Sequence, residues 1–194
     1  MLLSDRKLAG LLAFIAGVEC IVGINIAEDL YPNYSVSANA ISDLGATCRT
    51  GTCTILQPSS IIFNTSVAVL GALGIPGAYL VYRVTKKMIL PTFLILSSTG
   101  ALGVAFFPET AGAVHAIVSL MVFLFGELAA IASFQVQEIP MNYLSILLGA
   151  VSLVALGLFL SGNYLGLDHG GMERMIAYPA LLWLVGFGAQ LMKS

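Results

Sequence analysis

LAGLLAFIAGVECIVGINIA, from Leu8 to Ala27, carries only Glu19 and Asn25 as strongly polar side chains. About 20 largely apolar residues are what a helix needs to cross roughly 30 Å of hydrocarbon. The run is too long for the apolar part of a cleaved secretory signal, and no small-residue cleavage site follows it cleanly, so it reads as a first membrane span. Five more runs of this kind follow: Ser59–Tyr82, Ile89–Phe107, Val114–Phe134, Tyr143–Leu165 and Met175–Met192. The links between them are short except the first, Glu28–Pro58, which is rich in Ser, Asn, Thr and Asp. Short links favour antiparallel neighbours. The expected fold is therefore an all-α polytopic membrane protein, a six-transmembrane-helix up-and-down bundle forming one domain over 1–194. Barrel strands would alternate apolar and polar residues, and these runs do not.

Composition agrees. Hydrophobic residues make up 58% of the 194-residue chain and charged ones 9%, with a mean hydropathy of +0.96. Soluble domains carry about 25% charged residues, so lipid must cover apolar surface that no core of this size can hold. A net charge of −2 gives no reason to expect a nucleic-acid partner. Membrane lipids are the expected surroundings, and the oligomeric state is left open.

Basic residues set the orientation, because they gather on the cytoplasmic side. With the N-terminus inside, the inner face holds Arg6, Lys7, Arg83, Lys86, Lys87 and Lys193, and the outer face only Arg49 and Arg174. Both termini are thus expected in the cytoplasm, in the cell membrane. Cys48 and Cys53 fall in the long outer loop as Cys-Arg-Thr-Gly-Thr-Cys, where an oxidising compartment permits a disulfide. The alternative, a metal pair, would want two further ligands. Cys20 lies within the first span and reads as a packing residue. Asn33-Tyr34-Ser35 is a glycosylation sequon on that loop. Pro76 and Pro179 should kink their helices, and Gly162 and Gly166 should shape a turn.

Polar groups in hydrocarbon are costly, which marks them as functional candidates. Glu19 and Glu127 are such groups, and no Lys or Arg shares a span with either. They suggest a proton relay or cation path; the plainer alternative is a neutral acid bonded to Ser97, Ser119 or Asn25. At the outer ends of the spans lie Asp43, Asn64, Glu109, His115, Asp168, His169, Glu173 and Arg174, which an antiparallel bundle brings to one depth. A histidine beside carboxylates suits acid–base work or metal binding. His115 and Glu109 are therefore the candidate catalytic pair, and Asp43, Asn64, Glu173 and Arg174 the candidate ligand-binding set. Arg174 should pair with Asp43 or Glu109 rather than Glu173, because adjacent helical residues point apart. The two histidines also permit haem between helices, or zinc held by His115, His169, Glu109 and Asp168. A helix rim is often polar for structural reasons alone, so a loop clamp is the competing account.

Ile41-Ser-Asp-Leu-Gly45, Phe63-Asn64, Phe107-Pro-Glu109 followed by His115, and Gly171-Met-Glu-Arg174 through Tyr178-Pro179 and Trp183 resemble the mainly archaeal six-helix family called domain of unknown function 998. The resemblance covers nearly the whole chain. It implies the six-span fold and an archaeal source, and it implies no activity. The expected function is a pocket at the outer leaflet for a hydrophobic or amphipathic small molecule such as a lipid or isoprenoid, with Arg174 neutralising an anionic head group. Alternatives are a haem redox module, a proton-coupled transporter using Glu19 and Glu127, and an accessory subunit without a site. Whether the protein is an enzyme is left open.

Overall fold

Six helices form on the six apolar runs: α1 Asp5–Asp29, α2 Ser59–Thr85, α3 Ile89–Phe106, α4 Ala113–Ala132, α5 Met141–Leu160 and α6 Asp168–Lys193. The computed structural model describes residues 3–48 and 51–193, so Arg49, one of the two basic residues expected on the outer face, is not among the described residues. All six helices are long and apolar enough to cross a membrane. The protein is a multi-pass membrane protein. Large aliphatic residues such as Ile61, Ile117, Leu147 and Val154 are exposed on the outside of the bundle, which suits hydrocarbon and would be a liability in water.

Local chemistry places the helix ends. Ser4 caps α1 by accepting from the Lys7 amide at 3.3 Å, satisfying one of the free amides of the first turn. After α5, Gly162, Leu165 and Gly166 all have positive φ and make the turn that hydropathy alone extended to Leu165. In turn α6 begins at Asp168 rather than Met175, so Glu173 and Arg174 lie within the helix and not in the loop before it.

Each helix packs on its neighbours in the chain, and α6 closes the ring against α1. In hydrocarbon no hydrophobic force drives helices together, so small residues and interhelical hydrogen bonds must do so. Gly10 shows the first device: a Cβ there would sit 2.6 Å from the Gly188 carbonyl oxygen, so α1 and α6 cross backbone to backbone. The hydrogen bonds supply the second. Ser97 Oγ donates to the Val122 carbonyl at 2.9 Å, joining α3 to α4. Ser152 Oγ donates to the Ile176 carbonyl at 2.9 Å, joining α5 to α6. Trp183 is buried, with its indole nitrogen donating to Ser133 Oγ at 3.0 Å.

One end of the bundle carries the segment between α1 and α2, and it is called the loop end below. Residues 40–46 of that segment, apart from Ser42, are buried. A short 3-10 turn over Ser42–Leu44 leads into a tight ribbon in which Thr47 and Thr54 exchange backbone hydrogen bonds. A Cys48–Cys53 disulfide closes the ribbon, as the spacing of the two cysteines suggested. The segment docks on α6: the Gly170 and Gly171 amides donate to the Ser37 carbonyl at 2.8 and 3.1 Å. These are the free amides of the first turn of α6.

Candidate functional site

Arg174 is the hub of the loop end. Its Nη2 pairs with Glu28 Oε1 at 2.5 Å and donates to the Tyr34 hydroxyl at 2.6 Å. Its Nη1 donates to the carbonyls of Val36, Asn39 and Gly170 at 2.8, 3.0 and 2.9 Å. The guanidinium carbon also lies 5.4 Å from the centre of the Tyr34 ring, a cation–π distance. The Tyr34 hydroxyl in turn donates to the Ala40 carbonyl at 2.8 Å. Burial pushes the Tyr34 phenol well up from its ordinary value, and the adjacent guanidinium opposes this only in part. The phenol therefore stays a donor at neutral pH.

The partner of Arg174 is thus Glu28, not Asp43 or Glu109 as expected. The reason is the ring closure: α1 ends where α6 begins, so the last acid-bearing turn of α1 faces the second turn of α6. Asp43 and Glu109 are committed elsewhere. Asp43 Oδ2 accepts from the Ala40 amide at 2.8 Å and Asn39 Nδ2 at 3.2 Å. Glu109 accepts from Ser42 Oγ at 3.0 Å and the Cys48 amide at 3.1 Å. Glu173 Oε2 accepts from the Ile41 amide at 2.6 Å. These four residues grip one short stretch, 36–48, and hold it over the bundle as a cap.

The other candidates stand apart from that hub. Asn64 lies beneath Gly45 and donates to Ser60 Oγ at 3.3 Å. His115 is held by the Phe107 carbonyl at Nδ1, 2.8 Å, and Ser119 Oγ at Nε2, 3.3 Å. A carbonyl only accepts, so Nδ1 carries the proton. His169 lies tilted against Phe159 with ring centres 4.6 Å apart and meets the Tyr164 hydroxyl at 3.1 Å. Asp168 is exposed. The set considered for zinc, His115, Glu109, Asp168 and His169, is not gathered: among the described residues no three His, Cys, Asp or Glu side chains come together to hold a metal ion. Glu28 and Tyr34 carry the hub, and sequence reasoning missed both. The signal available was that a lone arginine near hydrocarbon needs a carboxylate at its own depth.

Below the cap lies a cavity of about 140 Å³ lined by α1, α2, α3, α4 and α6. Ser42 and Glu173 line its loop end, Phe63, Val67 and Leu181 its walls, and Glu127 and Trp183 its far end. Glu127 is about 21 Å of helix rise from the start of α4. It is fully buried, and neither of its carboxyl oxygens has a hydrogen-bond partner. Glu19 differs: it is half-buried and accepts from Ser66 Oγ at 2.8 Å.

The family model described as "Protein of unknown function (DUF998)" matches residues 14–190. The chain belongs to the DUF998 family. The matched stretch takes in the cap, its Arg174 hub, the cavity, Glu19 and Glu127. No curated protein and no solved structure matches the chain. Membership in DUF998 thus fixes kinship and carries no chemistry, and function has to be argued from the cavity.

Proposed function

We propose that this DUF998 protein binds a small amphipathic molecule in the cavity under the cap, and that the loop end faces the outside of the cell. The observation that carries the reading is the cavity itself, lying under a cap that Arg174, Asp43, Glu109 and Glu173 hold down and presenting a mainly apolar surface. A dry apolar cavity of about 150 Å³ takes up a benzene-sized guest, so the space suits a short chain or ring, or the end of a lipid or isoprenoid supplied by the bilayer. Glu173 and Ser42 line its loop end. Asp43, Glu109 and Arg174 serve as the latch of the cap, because their donors and acceptors are engaged by the loop. His115 and Asn64 brace the helix ends that flank it. The excess of basic residues at the opposite end supports the outward placing of the cap.

Ala101 is buried in the cavity wall on α3, and Ala101→Phe fills the space. Wild type and variant, purified identically, should differ in native mass spectra: the wild type retains an adduct that the variant loses. Adducts of equal mass and abundance in both would overturn the proposal.

A further inference from the structure

We propose that Glu127 is the head-group anchor of this cavity, and that the molecule it takes is a small amphipathic amine with a protonated nitrogen on Glu127 and an apolar body toward the cap. The inference rests on the binding reading above and adds the chemical class of the guest.

Two carboxyl groups line the cavity, Glu127 at the far end and Glu173 at the loop end, and among the described residues no Lys, Arg or His lines it. An acid buried without a cation beside it can hand its proton to a guest amine and pair with the ammonium so formed, whereas a guest anion would find two acids and no cation to receive it. Glu173 already accepts from the Ile41 amide at 2.6 Å. Glu127 has no such bond at either oxygen. Ser97, on the facing α3 wall, donates to the Val122 carbonyl at 2.9 Å rather than to Glu127. A buried polar group left without a hydrogen bond costs about 1–3 kcal/mol, so a fully buried acid on the cavity surface is an expensive feature for packing alone. An ammonium group supplies what the pair of oxygens lacks, several N–H donors and a positive charge. The balance is simple: a neutral amine meeting the protonated acid, and an ammonium meeting the carboxylate, are the same species with the proton on one side or the other. Beyond the head, Val67, Leu181 and Phe63 offer only apolar contact, which suits a short hydrocarbon body.

Trp183 lines the far end of the cavity beside Glu127 and is the single tryptophan of the chain, so its fluorescence reports occupancy. Full-length protein in lipid nanodiscs is titrated with n-hexylamine, n-hexanol and n-hexanoate, and the response of empty nanodiscs is subtracted. We expect hexylamine to bind at least tenfold tighter than hexanol and hexanoate to give no saturable signal. Glu127→Gln should bring hexylamine to the level of hexanol. Equal binding of hexylamine and hexanol to the wild type overturns the amine assignment and leaves the cavity as a binding site. A preference for hexylamine that survives Glu127→Gln overturns the role of Glu127. No saturable signal from any of the three overturns this inference and counts against the binding reading as well. Should Glu127→Gln fail to fold, the wild-type ranking alone still decides the amine class.

Discussion

Arg174→Ala tests the cap directly. The guanidinium lies in a site where its side chain is 7% exposed and that of Glu28 is 13% exposed. Removing it deletes the ion pair, the bond to Tyr34 and three bonds to carbonyls. It also leaves Glu28 charged and alone in a poorly solvated place. Breaking a buried pair from one side costs about 3–5 kcal/mol, because the surviving charge is uncompensated. For a chain of this length that is a fall of about 6–20 °C in melting temperature, at roughly 2–4 °C per kcal/mol. The assay is thermal unfolding in one fixed detergent, with backbone hydrogen exchange read over residues 36–46. Exchange there should rise well before the spans open. The double variant Arg174→Met with Glu28→Leu removes both charges and keeps the apolar bulk, so it should recover about 2 kcal/mol or more of the loss. A single variant that melts within about 2 °C of wild type, or a double variant no better than the single, would refute the argument that this pair latches the cap.

Two other outcomes follow from the same geometry. Burial raises the pKa of Tyr34, and a group whose folded value exceeds its unfolded one contributes fully below the unfolded pKa and loses that contribution as pH climbs toward the folded one. Stability should therefore decline above about pH 10, the ordinary tyrosine value; Tyr34→Phe should flatten that decline, and an alkaline limb of unchanged slope would remove Tyr34 as its source. For the proposed orientation, a cysteine placed at the exposed Thr110 should react with an impermeant thiol reagent on intact cells, whereas one at Lys86 should not. Labelling at Lys86 alone would invert the topology.

The degree to which this protein was legible in its sequence depends on the range of the forces involved. Span formation is local: hydrocarbon demands that each segment satisfy its own backbone and present apolar side chains, so Leu8–Ala27 and its five successors could be read one at a time. The disulfide was legible because Cys48 and Cys53 are separated by so short a turn. The motif residues around Asp43, Glu109 and Arg174 pointed to the right end of the bundle for the same reason, since antiparallel spans put them at one depth. Their pairing was not legible. Whether Arg174 meets Glu28, Asp43 or Glu109 depends on which helix closes the ring, and that is decided by the approach of α6 to α1 at Gly10 and Gly188, a contact between the two ends of the chain. The same holds for the acids. The sequence by itself determined that Glu19 and Glu127 fall within apolar runs that hold no basic residue. Only the tertiary structure decided that Ser66 of α2 satisfies one oxygen of Glu19, while Glu127 stands unbonded on a cavity wall, because a cavity is the space five helices leave between them and belongs to no one segment.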